Sequence, residues 1–428
     1  MTDTGSGNTM KSLPHDSCHF DDSVRFITAL IKAIELYGGH SHDICKTVER
    51  IIGVLGLHGE ILATPNSLII ALWLDEMHRQ TVHIATMPET RYDMARLGKL
   101  RDLIEEIECG RISPADGLTR IREIERTPSI YGNRLKAFAY LLAGLSFGVL
   151  LGLSWLDVLV GGTLGIIAFG VELYVSRFSR VDYARELFIA AFVTFLAGIF
   201  DVLLPGINPM AVTVCALSIY IPGFGLTIAP REIVLGDTIS GIIYFMKALF
   251  VSVKLLLGTF LGLDIAHYLF PVAIADPIPK IDPIFVWVFI PLLLVSMGIL
   301  YGVLPEDLWL VIGCGLLVWA GVQAGNTFGF WQGTFLGAIV LTLYARIAAR
   351  RCKIPISTVL LPVILILVPG LGFIQALYMF NTGEVIAGIS GVFHEFVIVF
   401  AIICGVFVGE ILGSWDGIKK QDDGVKES

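Results

Sequence analysis

Beginning at Leu135, the chain runs through one long apolar segment after another almost to its C-terminal end. A helix needs about 20 mostly apolar residues to cross the hydrocarbon core. Backbone in lipid must also satisfy its hydrogen bonds internally. These segments therefore predict a polytopic α-helical membrane protein. Ten spans can be read, at 135–153, 156–175, 186–204, 207–222, 238–262, 284–302, 307–324, 329–348, 355–369 and 385–412. The long break runs from Asp264 to Asp282, where Asp276-Pro277, Pro279 and Asp282-Pro283 mark a loop. Composition agrees, with 55% hydrophobic and 16% charged residues against about 25% charge in an ordinary soluble domain. That balance excludes a single water-soluble globule and a disordered chain. A formal net charge of -8 offers nucleic acid no basic face.

Ahead of the spans the pattern is different. Met1 to Asp22 is polar and reads as a disordered tail. It lacks the apolar core of a signal peptide, so the N-terminus is expected to stay in the cytoplasm. Residues 23–134 read as a cytoplasmic α+β domain. Phe26, Ile27, Leu30 and Ile34 recur at helical spacing, Gly38-Gly39 ends that helix, and Ser41 opens a second. Two strands flank the turn Thr64-Pro65-Asn66-Ser67, and Thr81 to Thr86 suits a third. Asp93 to Glu108 is helical, and Ser113-Pro114 caps a last helix to Arg126. Cys18, Cys45, Cys109, Cys215, Cys314, Cys352 and Cys404 form no C-x-x-C pair and read as reduced thiols.

Loop charges set the expected orientation. Arg177, Arg180 and Arg185 follow span two, Arg231 follows span four, Arg346, Arg350, Arg351 and Lys353 follow span eight, and Lys419 and Lys420 follow span ten. With ten spans, all of these fall on one side, with the N-terminal domain. The positive-inside rule then puts both termini in the cytoplasm, in a multi-pass protein of the cytoplasmic (inner) membrane.

The spans repeat. Ile221-Pro222-Gly223-Phe224-Gly225 recurs as Val368-Pro369-Gly370-Leu371-Gly372, an offset of 147 residues. The same offset carries Gly236-Asp237-Thr238-Ile239-Ser240-Gly241 onto Gly383-Glu384-Val385-Ile386-Ala387-Gly388, and Gly258 and Gly262 onto Gly405 and Gly409. Each copy holds five spans, 135–268 and 284–412, joined by an extracytoplasmic loop at 269–283 and followed by a cytoplasmic tail at 413–428. An odd number inverts the second copy, which gives the 5+5 inverted-topology repeat of many secondary transporters. Spans four and nine are short and end in Pro-Gly. Such paired interruptions point to a binding site, here Pro222, Gly223, Gly225, Pro369, Gly370 and Gly372. The alternative is a pair of kinked packing helices.

Ionisable residues inside spans are candidates for chemistry. Asp237 and its mate Glu384 stand just before spans five and ten, where an acid can cap a helix, handle a proton, or do both. Lys247 and His394 are also mates, well inside those spans, and Glu395 adjoins His394. These three are candidates for proton coupling or carboxylate handling, and histidine titrates near neutrality. Asp201 and Glu172 lie nearer to span ends. In the soluble domain, His40, His42, His58, His78 and His83 fit no metal spacing, and no P-loop is present.

With the helical pair, the turn Ala63-Thr64-Pro65, I-P-G at 221–223 and G-D-x-x-S-G at 236–241, the chain resembles the threonine/serine exporter family from about Ser23 to Leu412. The resemblance implies a cytoplasmic domain with ten spans and proton-driven efflux of small polar amino acids. Split relatives, in which the halves are separate chains, are linked to dicarboxylate export. The leading expectation is thus an alternating-access antiporter for threonine or serine, with small dicarboxylates such as succinate as the alternative substrates. A membrane-anchored hydrolase using the soluble domain, and a passive channel, are the readings from other classes. The expected partners are the small polar amino acid or dicarboxylate, protons and the lipid bilayer, with homo-oligomerisation left open. No cofactor, metal, nucleic acid or enzymatic activity is expected.

Overall fold

The chain is described here by a computed structural model covering residues 14–39, 41–73, 81–178, 182–234, 236–270, 279–367, 372, 376, 379 and 384–426. It divides into two compact units. One comprises residues 1–92 with 96–128, the other residues 93–95 with 129–428.

In the first unit, α1 (Pro14–Leu36) and α2 (Ser41–Val54) precede β1 (His58–Ala63), β2 (Ser67–Trp73) and β3 (Thr81–Thr86), followed by α3 (Met94–Glu108) and α4 (Pro114–Arg126). Phe26, Ile27, Leu30 and Ile34 are all buried, the single apolar stripe of a helix packed on a core. That helix begins at Pro14, so the expected tail is helical over 14–22. The strands form an antiparallel sheet in the order β1-β2-β3. Ala63 pairs with Leu68 across the turn, which closes when Thr64 N donates to Ser67 O at 2.8 Å. Leu68, Ile70 and Leu72 are buried while Ile69 faces the other way, the two-residue alternation of a strand. Ser113 Oγ accepts from Asp116 N at 3.2 Å and so caps α4, with Pro114 beginning the helix.

The second unit is helical. Its elements are α5 (Asn133–Leu150), α6 (Trp155–Val175), α7 (Arg185–Leu203), α8 (Pro209–Leu217), α9 (Gly223–Val234), α10 (Thr238–Leu269), α11 (Val286–Leu300), α12 (Leu308–Asn326), α13 (Phe330–Cys352), α14 (Ser357–Ile364) and α15 (Val385–Lys426). Among the described residues, seven helices are long and apolar enough to cross a membrane: α6, α7, α10, α11 and α12 with their leading 3-10 turns, α13, and the 385–413 part of α15. The 18-residue α5 carries Arg134 and Lys136 in its first turns, which lowers its hydropathy.

The fourth apolar segment departs from the sequence reading. α8 has nine residues, a 3-10 turn at Ser218–Tyr220 follows, and Ile221 is extended before α9 restarts at Gly223. Proline has no N–H, so Pro222 cannot continue the helical ladder, yet it suits the start of a new helix. The Pro-Gly pair is thus a joint between two half-helices, whereas the sequence suggested the end of a span. Pro230, Arg231 and Glu232 had hidden α9 by breaking its apolar run. In the ninth segment, α14 ends at Ile364 and residues 365–367 form a turn. Those turn residues are the 147-offset mates of 218–220. Pro369 and Gly370 lie outside the described residues. Two further boundaries move. α10 spans 32 residues, about 48 Å at ~1.5 Å per residue, and α15 runs through the expected tail to Lys426.

Hydrogen bonds recur at corresponding places along this unit. Leu151 N to Phe147 O and Leu153 N to Gly148 O reappear as Tyr301 N to Met297 O and Val303 N to Gly298 O, 150 residues on. Asp237 N to Glu232 O and Gly241 N to Asp237 O reappear as Glu384 N to Met379 O and Gly388 N to Glu384 O, 147 residues on. Close helix approaches correspond as well. Gly258 lies against Leu187 O and Ala190, and Gly405 against Phe335 O and Ala338. Small residues at such crossings let apolar helices pack backbone to backbone without the hydrophobic drive that water supplies.

Candidate functional site

The first break is held from both ends. Asn208 caps α8 by accepting from Ala211 N at 3.1 Å, and Asn208 N itself donates to Asp157 Oδ1 at 2.8 Å. Asp157 is buried and completes a capping box with Ser154 at the start of α6. The short helix is therefore anchored at its N-terminal end, and its other end stops ahead of Pro222. Gly223 is buried, and Pro222 and Gly225 are half-buried.

The residues just ahead of the two Pro-Gly pairs converge. Ala143 of α5, Leu293 and Met297 of α11, and Leu365 form one buried cluster, and both Ile219 and Ile366 pack against it. Ile219 and Ile366 are mates at the 147 offset, each three residues before its Pro-Gly. α9 also packs against α10 and α15 and touches α14.

Beside the second break stands Glu395. It is only 8% exposed, and Oε2 has no hydrogen-bond partner among the described residues. Its Oε1 lies over Gly372, in the space a side chain there would fill. The corresponding pair in the first half is Ala248 over Gly225, where an added Cβ would sit 3.2 Å from Ala248 Cβ. At the 147-residue offset, the place above the glycine thus holds a methyl at Gly225 and a carboxylate at Gly372.

The other expected site residues fall elsewhere. Asp237 caps α10, its Oδ1 accepting from Ser240 N at 3.1 Å. Glu384 is exposed just ahead of α15. Lys247 and His394 lie on exposed faces of their helices, and the His394 ring stacks on Phe330 with centroids 4.2 Å apart. Glu395, one residue from His394, is turned inward, as a helix requires of adjacent positions about 100° apart.

A second polar group joins the first break. Tyr140 of α5 and Tyr220, the last residue of the 3-10 turn, each donate to Glu172 Oε2 at 2.7 Å. Their rings lie 6.0 Å apart. Glu172 was visible in the sequence as an acid in an apolar span. Its tyrosine partners were not, because they lie 32 and 48 residues away. In the first unit, His58 stacks on Trp73, and no group of His, Cys, Asp and Glu suited to a metal occurs among the described residues.

Sequence comparisons agree with this architecture. A threonine/serine exporter family (ThrE) profile matches residues 25–266, and a second profile, described as Threonine/Serine exporter, ThrE, matches residues 285–412. An uncharacterized protein of Schizosaccharomyces pombe is 23% identical over 82% of this chain and 44% of its own length. Pheromone-regulated membrane protein 10 of Pichia sorbitophila is 20% identical over 81% of the chain and 36% of its length. The protein of the same name from Kluyveromyces lactis is 21% identical over 81% and 37%. The chain thus spans less than half the length of these curated relatives. No solved structure matches it significantly. With its helical membrane unit and with matches covering both halves, the chain belongs to the threonine/serine exporter family.

Proposed function

We propose that the second unit is a secondary active exporter of threonine, serine or similar small polar amino acids, working by alternating access and driven by the proton gradient. Its helices are read as ten membrane segments in two inverted copies of five, α5 to α10 and α11 to α15, with α8–α9 and the ninth segment as the discontinuous members. Broken backbone at membrane depth is tolerated only where it is buried in protein or lines a cavity. Here both breaks approach a shared cluster, since Ile219 and Ile366 pack on the same four core residues, and this observation carries the proposal. The start of α9 at Gly223 is the positive end of a helix dipole, which suits an anionic substrate group. Glu395 is the favoured proton carrier, because it is buried beside the second break and its Oε2 has no hydrogen-bond partner among the described residues. Asp237 is assigned to capping and Lys247 and His394 to the periphery. The loop charges support a cytoplasmic-membrane protein with both termini on the cytoplasmic side.

Purified full-length protein in proteoliposomes tests this. Preloaded threonine should exchange with external radiolabelled threonine in a saturable way, and an imposed pH gradient should drive net accumulation. Exchange without response to the gradient would remove proton coupling. Non-saturable flux would make the protein a channel. Exchange of succinate in place of threonine would move the substrate to the dicarboxylates.

A further inference from the structure

The Tyr140–Glu172–Tyr220 group is more than the fold requires. In the second copy its mates are Ile290 and Val322 at the 150 offset and Leu367 at the 147 offset, all apolar. Ile290 is fully buried, and Val322 and Leu367 both border Gly337, 2.7 and 2.8 Å from where a Cβ there would lie. The same three places therefore pack in one half with no polar atom. A carboxylate kept in an apolar span without a structural need marks a substrate or ion path.

The geometry says which group it would receive. Both tyrosine hydroxyls donate to Oε2. Among the described residues no hydrogen bond or ion pair reaches Oε1. Two cations of this unit, Lys254 and Arg185, lie 2.7 and 3.5 Å from Glu186. Tyr220 stands two residues before Pro222, so the carboxylate sits at the first break. An ammonium has three donors and no acceptor, and it makes a charge-assisted bond to such an oxygen. A dicarboxylate at this place would meet a like charge.

We infer that Glu172, oriented by Tyr140 and Tyr220, binds the ammonium group of a zwitterionic substrate and so selects amino acids over dicarboxylates. The inference rests on the export reading above and names the substrate class of that same site. The test is threonine counterflow in proteoliposomes of the full chain, with serine, succinate and 3-hydroxybutyrate (which lacks the amino group) as competitors. In the unaltered protein, serine should compete while succinate and 3-hydroxybutyrate do not. Glu172→Gln should raise the half-saturation concentration about tenfold or more, the scale of one charge-assisted hydrogen bond, and should narrow the preference for serine over 3-hydroxybutyrate. The triple variant Tyr140→Ile, Glu172→Val, Tyr220→Leu copies the second half. It should purify as a folded protein with no threonine exchange. A half-saturation within about twofold of the parent in Glu172→Gln, or a fall in rate alone, overturns the assignment. Succinate exchange without threonine exchange overturns it too while leaving a transporter in place. Flux of no probe at all removes the export reading itself.

Discussion

Gly372→Ala puts a methyl group where Glu395 Oε1 now lies, and the first half supplies its own control. At Gly225 the same methyl would stand 3.2 Å from Ala248 Cβ, a contact relieved by a shift of a few tenths of an ångström. Alanine is favoured over glycine in a helix by about 1 kcal/mol, so Gly225→Ala should be neutral to within about that amount. Gly372→Ala has to evict a buried carboxylate from its seat. Overpacking of this kind costs about 1–3 kcal/mol. Replacing Glu395 by alanine makes the second seat chemically like the first, so the cost of Gly372→Ala should then fall below about 1 kcal/mol. The expected coupling between the two sites is about 1–3 kcal/mol. The assay is a double-mutant cycle of Gly372→Ala and Glu395→Ala, followed by unfolding of the purified protein in detergent. A coupling below about 0.5 kcal/mol would show that methyl and carboxylate do not compete for one place. The seating of Glu395 against the second break, and its role as proton carrier, would then be refuted.

Glu395→Gln keeps the shape but cannot release a proton, so pH-driven accumulation should vanish while threonine counterflow persists. Gradient-driven accumulation that survives would exclude Glu395 as the carrier. Asp157→Ala removes acceptors from Ser154 and from Asn208 N at once. It should cost about 1–3 kcal/mol in detergent unfolding, and an unchanged midpoint would show that the anchor of α8 contributes nothing. In the first unit, Ser113→Ala loses the cap of α4 and should lower stability by about 1 kcal/mol, read by the same unfolding assay. Of the described thiols, Cys109, Cys352 and Cys404 are exposed and Cys215 and Cys314 buried. In detergent a maleimide should modify Cys109 and Cys352, and mass spectrometry that finds rapid labelling of Cys215 would contradict the packing of α8 on α6.

Local pattern carried much of this protein. The apolar lengths of α6, α7 and α13, the turn at Thr64-Pro65-Asn66-Ser67, the Ser113-Pro114 cap and the 147-residue echo of Pro-Gly are all visible in the sequence, because each depends on neighbours within one element or on direct comparison of two stretches. Lys247 and His394 were singled out by depth along a span. Depth does not tell which face of a helix points inward, so their exposed positions could not be read beforehand.

Sequence alone determined that the chain carries a set of helices apolar enough for a membrane, since a helix satisfies its backbone hydrogen bonds within one segment, and that Pro-Gly recurs at a 147-residue offset. Only the tertiary structure decided that Pro222 joins two half-helices, that Ile219 and Ile366 approach one cluster, and which carboxylates face the breaks. Tyr140, Glu172 and Tyr220 are far apart in the chain, as are Gly372 and Glu395. Their meeting depends on how whole helices cross, which is set by close approaches at residues such as Gly258 and Gly405 and not by any pattern local to the polar residues themselves.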